Sequence, residues 1–138
     1  MLQELILDKF ADGYVKALDV TLGESPASIV EKKGRQIPQK EADRPFPFLS
    51  YIENGVEVKY YYQLDQSNEP VIDTIELIFP QKKEWIKYRQ LQKIWQPDEP
   101  EDLEFYIERM DNGIYSFAEF DKKNHQLKRM LIKKFEVK

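Results

Sequence analysis

Two short segments of this chain recur about 55 residues apart, a period that points to one supersecondary unit used twice. Tyr51-Ile52-Glu53 returns as Tyr106-Ile107-Glu108, and Asp65-Gln66-Ser67-Asn68 returns as Asp121-Lys122-Lys123-Asn124. Each copy follows a helical stretch and precedes an apolar strand. Asn54-Gly55 matches Asn112-Gly113 only after three inserted residues, which a shorter second strand offsets.

The periodicity between these marks predicts the elements. Residues 2–18 read as an amphipathic helix with Leu2, Leu5, Ile6, Phe10, Tyr14 and Leu18 on one stripe, ended or bent at Gly13. A short helix follows, with Ser25 as N-cap, Pro26 at its first position and Gly34 just past its end. The stretch from Arg35 to Pro47 reads as loop. Strands are expected at about 46–53, 56–64 and 71–79, the first pair joined by the hairpin signal Asn54-Gly55. After Pro80, a helix over about 81–95 spaces Trp85, Tyr88, Leu91 and Trp95 at helical intervals, and Pro97 stops it. Three more strands are expected at about 103–109, 113–120 and 127–137. The predicted fold is α+β: two αβββ units forming antiparallel sheet with helices packed on one face. A single domain spans 1–138, with an N-terminal helix and units at about 22–80 and 81–138. Whether the two units form one sheet or two stays open.

The segment Leu22-Gly23-Glu24-Ser25-Pro26-Ala27-Ser28-Ile29-Val30, closing on Gly34, resembles the short capped helix that opens repeats of the beta-lactamase-inhibitory-protein superfamily. The resemblance covers about a dozen residues of one copy. It implies repeats that pair a helical segment with antiparallel sheet, in a group that also includes small envelope lipoproteins and binding proteins. No binding residue carries over, because the matched residues form a structural cap. The disulfides of some members are impossible here, since the chain has no cysteine.

Chemistry is thinly represented. The one histidine, His125, falls in a turn, where solvated histidines are the rule. The absence of cysteine removes disulfides, thiolate metal sites and thiol nucleophiles. The acidic run Asp98-Glu99-Pro100-Glu101-Asp102 lacks the spacing and the glycine of a calcium loop, and reads as a solvated loop. The five glycines are scattered, which excludes a phosphate-binding loop. A paired-carboxylate hydrolase would draw on Glu76, Glu108 or Glu119, although nothing marks one of them for a raised pKa. The aromatics Trp85, Tyr88 and Trp95 read as the core face of their helix. No cofactor and no metal is expected, and the reading is that of a non-enzyme.

Strand alternation locates a face. Val56, Val58, Tyr60, Tyr62 and Leu64 are taken as inward, with Phe48, Ser50 and Ile52; Val71, Ile75, Leu77 and Phe79; Leu103, Phe105 and Ile107; and Ile114, Ala118 and Phe120. The outer face then carries Tyr51, Tyr61, Tyr106, Tyr115 and Phe117 among Glu53, Glu57, Glu76, Glu104, Glu108 and Glu119. Tyrosine supplies contact area at modest entropy cost, and surrounding carboxylates favour a basic partner. From this set, Tyr51, Glu53, Tyr61, Glu76, Tyr106, Glu108, Tyr115, Phe117 and Glu119 are the expected partner-binding residues. In the last strand Leu131, Phe135 and Val137 share a side with Arg129 and Lys133, which predicts an edge strand or a bulge. There Lys128, Arg129, Lys133, Lys134 and Lys138 form a basic strip.

The formal charge of −4 argues against a general nucleic-acid binder, and no apolar run approaches a membrane span. No secretory signal is visible, so a cytoplasmic protein is expected, or a periplasmic or secreted one had a leader been removed. The functional expectation is a non-enzymatic protein-binding module, an inhibitor or immunity protein that covers a basic surface of its partner. The alternative is a small-molecule binder or carboxylate hydrolase with a pocket between sheet and helices, lined by Tyr60, Tyr62 and Trp85.

Overall fold

Apolar alternation and two Asn-Gly turns set the frame in the computed structural model, which describes residues 1–40, 46–81, 86–96 and 105–134. In chain order the elements begin with α1 (Leu2–Leu7), a 3-10 turn (Ala11–Gly13), β1 (Tyr14–Val15), β2 (Val20–Thr21) and α2 (Pro26–Lys33). Next come β3 (Gln39–Lys40), β4 (Pro47–Glu53), β5 (Val56–Leu64) and β6 (Pro70–Ile78). The chain closes with α3 (Tyr88–Trp95), β7 (Tyr106–Asp111), β8 (Ile114–Phe120) and β9 (Leu127–Lys134). β1 and β2 form a small hairpin of their own. The other strands form one antiparallel sheet in the order β3-β4-β5-β6-β9-β8-β7. The fold is therefore α+β with one continuous sheet.

Both Asn-Gly pairs take positive φ at both residues, Asn54 at 53° with Gly55 at 79°, and Asn112 at 53° with Gly113 at 75°. That geometry matches strand twist and makes two-residue hairpins. The recurrent aspartates build the second turn of each meander. Asp65 Oδ1 accepts from the Ser67 and Glu69 N–H groups, and Asp121 Oδ1 from those of Lys123 and Asn124. Positive φ follows at Asn68 and His125. Short side-chain acceptors of this kind hold a turn by replacing backbone partners.

Across the sheet, the inner side chains line up through the register. One row runs Tyr51, Val58, Leu77, Met130, Ala118 and Ile107; the next runs Leu49, Tyr60, Ile75, Ile132, Ser116 and Arg109. Onto these rows pack Leu5, Ile6 and Phe10, Val15, Leu18, Val20 and Leu22 around the small hairpin, Ile29 of α2, and Leu91 and Trp95 of α3. The α3 aromatics Tyr88 and Trp95 are core residues, as their spacing predicts, while Trp85 lies outside the described residues.

Polar anchors tie this layer to the sheet. The Arg109 guanidinium donates to the Ile6 carbonyl at 3.2 Å and to the Asp8 carbonyl at 2.7 Å, and lies over the Trp95 ring. Its Nε stands 3.1 Å from Asp111, and the Trp95 indole also donates to Ile6 O, at 2.9 Å. Burial pulls the Arg109 pKa below the ordinary arginine value, against the pull of Asp111 and Asp8. At the other end, Tyr51 Oη donates to the Gly34 carbonyl at 2.8 Å, and Lys33 pairs with Glu53 at 2.5 Å.

Several expectations are corrected. The helix over 2–18 stops at Leu7. Asp8 accepts from the Phe10 and Lys16 N–H groups, and Phe10 and Asp12 take positive φ, which folds the chain back into the β1–β2 hairpin. The helix expected over 81–95 begins at Tyr88, because Lys87 bridges to Gln126 and Gln90 Oε1 caps the Lys87 N–H. The inward set of β4 is Leu49, Tyr51 and Glu53 rather than Phe48, Ser50 and Ile52. A two-residue turn pairs Glu53 with Val56 and so places both on one face. A register shift between Tyr61 and Tyr62 turns Ile72 inward in place of Val71 and leaves Leu64 63% exposed. β9 is no edge; it lies inside the sheet between β6 and β8, with a register shift at Glu119/Phe120 that lets both Leu127 and Met130 face the core. Phe135, Val137 and Lys138 lie outside the described residues, as do Leu103 and Asp98 to Asp102.

Arg109→Ala should cost about 2–4 kcal/mol in urea denaturation, since two carbonyls and Asp111 lose their partner. The same variant should speed amide exchange selectively across residues 2–10. A second expectation concerns Glu24, whose carboxylate accepts from Ser28 Oγ at 2.5 Å and the Thr21 N–H at 2.7 Å, beside Lys32. Burial raises its pKa, but these partners outweigh burial and hold it below the ordinary glutamate value. A lowered folded-state pKa stabilises above the unfolded value, and that contribution disappears as pH falls through the folded one. Ser28→Ala should therefore shrink the acid-side loss of stability when unfolding midpoints are compared between about pH 6 and about pH 3.

Candidate interaction face

The helical layer covers one side of the sheet, and the other presents three rows set by the register. They are Ile52, Glu57, Ile78, Arg129, Glu119, Tyr106; then Ser50, Lys59, Glu76, Leu131, Phe117, Glu108; then Phe48, Tyr61, Thr74, Lys133, Tyr115, Met110. Tyr61, Glu76, Tyr106, Glu108, Tyr115, Phe117 and Glu119 occupy this outer face as expected. Tyr51 and Glu53 do not. Tyr51 is 7% exposed in the core, and Glu53 lies between Lys33 and the Tyr60 hydroxyl, each at 2.5 Å. The cause is parity. Tyr51 stands three residues before its Asn-Gly turn and Tyr106 six before its own, and an odd difference reverses the face. Arg109 and Asp111 hold the positions before the second turn that Tyr51 and Glu53 hold before the first.

The face divides into two halves. On the β4–β5–β6 side, Phe48 and Tyr61 pack with ring centroids 5.1 Å apart and are nearly buried. Tyr61 Oη donates to Glu76 at 3.1 Å, and Arg129 Nη1 donates to the same carboxylate at 2.6 Å. Glu76 is only 3% exposed, and this charge is internally satisfied. Lys59, whose ammonium lies 4.9 Å from the Phe48 ring centre, further offsets the acidity of this half.

The β7–β8 side is different. Tyr106 is 45% and Met110 54% exposed, while Tyr115, Phe117 and Glu119 are half-buried and Glu108 is exposed. Tyr106 and Phe117 stack with centroids 5.7 Å apart and planes 20° from parallel. The Tyr115 phenol bonds to the Glu108 carboxylate; burial, then the Glu108 charge and this bond, push its pKa above the ordinary tyrosine value. Glu119 is held loosely, 3.9 Å from both Arg129 and Lys128. At the rim, a depression of about 630 Å³ is lined by Tyr106, Phe117 and Glu119 with Lys122, Lys123 and Lys128. The outward charges of β7 and β8 are thus Glu108 and Glu119, and the basic side chains of the face stand on β5 and β9.

Met110, just past the strand expected at about 103–109, belongs to β7 and to this face. The two-residue Asn-Gly turn extends the β7 alternation to Asp111, which is the signal that would have recovered it. Leu131 shares the outer face with Arg129 and Lys133, as the alternation of the last strand predicts, and stands beside Phe117. Glu104 lies outside the described residues. Among the described residues no three His, Cys, Asp or Glu side chains gather into a metal-binding group, and no helix is long and apolar enough to cross a membrane. No protein-family model, no curated protein and no solved structure matches the chain.

Glu108→Gln should lower the titration midpoint of Tyr115, because it removes the charge that opposes the phenolate. Ring-carbon NMR shifts of Tyr115 followed through alkaline pH would read this. An unchanged midpoint would mean that burial alone sets the Tyr115 pKa.

Proposed function

We propose that this chain is a non-enzymatic protein-binding module, acting as an inhibitor or immunity protein. It presents the β7–β8 half of the outer sheet face to a basic surface of its partner. The carrying observation is that the outward charges of β7 and β8 are both acidic: Tyr106, Met110, Tyr115 and Phe117 lie outward among Glu108 and Glu119. Aromatic residues and Met are enriched at the centre of protein interfaces, and the exposed Glu108 carboxylate among them attracts a basic group of the partner. The β4–β6 half, with Glu76 already paired to Arg129, contributes little to that field. We also read the two meanders, each preceded by a helix, as two copies of one αβββ unit, with the C-terminal copy specialised for binding.

The alternative of a ligand pocket between sheet and helices draws less support. Tyr60 is fully buried with its hydroxyl on Glu53, so it fills the core rather than lining a cavity.

The test begins with capture from a lysate of the source organism, followed by purification of the captured protein and binding kinetics. Tyr106→Ala combined with Phe117→Ala should weaken binding about 10–100-fold, mainly through faster dissociation. Glu108→Lys with Glu119→Lys should slow association and reduce its salt dependence, while Glu31→Lys on α2 should leave both unchanged. A purified partner that binds all these variants like the wild type would overturn the proposal.

A further inference from the structure

The two ends of the sheet are built differently. β3 is a two-residue strand, Gln39–Lys40, with Pro38 beside it and Pro47 opposite Lys40, and short length, lysine and proline are the usual guards of a sheet edge. β7 ends the sheet on the other side with six residues in unbroken register on β8, and contains neither proline nor lysine. Its inward charges, Arg109 and Asp111, are engaged with each other and with the N-terminal segment.

The hydrogen-bond phase of β7 can be read directly. The Phe120 N–H donates to the Phe105 carbonyl at 2.7 Å, which makes Phe105/Phe120 a bonded pair. Bonded pairs alternate along an antiparallel ladder, so the next are Ile107/Ala118 and Arg109/Ser116. The N–H and C=O groups of Tyr106, Glu108 and Met110 therefore point away from β8, toward an edge that no other strand covers among the described residues. The Gln96 side-chain amide donates to Glu108 O at 2.8 Å, so that carbonyl is directed away from β8 and already accepts one donor. The same three residues place Tyr106, Glu108 and Met110 side chains on the outer face, so backbone and side-chain recognition coincide on one strand.

We infer that β7 accepts an extended segment of a protein partner as an added strand, and that this segment carries Lys or Arg beside Glu108 with apolar residues two positions to either side. This inference rests on the reading of the β7–β8 face as a protein-binding surface and names the mode of binding. Backbone bonds to Tyr106, Glu108 and Met110 supply affinity, and the incoming strand's N–H replaces the Gln96 amide on Glu108 O. Opposite charge beside Glu108 selects the basic residue, and Tyr106 and Met110 pack on the flanking apolar ones. A second copy of this chain fits less well, since antiparallel pairing centred on β7 sets Glu108 against Glu108.

The test uses synthetic fluorescein-labelled peptides centred on Val-Thr-Lys-Thr-Val, the same peptide with Glu in place of Lys, and one N-methylated at alternate backbone positions. Binding is read by fluorescence polarisation and by amide exchange of β7. The Lys peptide should bind about tenfold more tightly than the Glu peptide, and Glu108→Lys should reverse that order. The amides of Tyr106, Glu108 and Met110 should become protected, and N-methylation or Met110→Pro should abolish binding. Met110→Pro removes an edge donor together with the Met110 side chain, so Met110→Ala, which keeps the donor, is the control and should bind more tightly than the proline variant; retained β8 amide protection would verify folding. Binding that ignores peptide charge, or leaves those three amides unprotected, overturns the inference. So does a concentration-dependent dimer in sedimentation that Met110→Pro abolishes. If the captured partner is lost by Tyr106→Ala with Phe117→Ala yet retained by Met110→Pro, the face binds without strand addition, and only this inference fails.

Discussion

The pairing of β6 with β9 holds the molecule together as one body. Ile75 faces Ile132 and Leu77 faces Met130, and all four are completely buried. On the outer face the same two strands bring Glu76 next to Leu131 and within reach of Arg129. Without this seam the sheet would divide into β3-β4-β5-β6 and β9-β8-β7, each with a half-covered inner face and one additional open edge. Both core rows pass through the seam, so the helices on either side share a single apolar layer.

Above that layer, polar groups decide where the covering elements sit. Tyr51, Glu53 and Lys33 fix α2 against the first meander, and Arg109 with Asp111 fixes α1 and the segment after it against the second. In both cases a side chain three residues before an Asn-Gly turn reaches the carbonyl oxygens of the layer above. Carbonyls at the ends of short helices lack intrahelical donors, so they are natural acceptors for such anchors. The arrangement orients short helices that are too short to be stable alone.

The outer face shows how one sheet can carry two kinds of surface. Where Phe48, Tyr61, Glu76 and Arg129 satisfy one another, little recognition capacity is left. Toward β7 the outward strand charges turn acidic, Tyr106 and Met110 become accessible, and among the described residues no strand pairs with the far side of β7. Those three gradients run in the same direction, and they are why the proposed function concentrates at this end.

Much of this was legible in the chain. The Asn-Gly and Asp-led turns, the capped helix from Ser25 to Gly34, the inward Val56, Val58 and Tyr60, and the core face of α3 all follow from local chemistry. So do the outward positions of Tyr106, Glu108, Tyr115, Phe117 and Glu119. What local pattern did not settle was parity and adjacency. The echo of Tyr-Ile-Glu looked like equivalence, but three inserted residues reversed its facing because side chains alternate with a period of two. The stripe across residues 2–18 marked buried positions correctly in Leu5, Ile6, Phe10 and Leu18, while Asp8 bonded the backbone into a turn that periodicity does not reveal. Above all, the place of β9 at the centre of the sheet arose from long-range pairing with β6. That pairing depends on the whole apolar area two meanders can bury together, a quantity no single segment encodes.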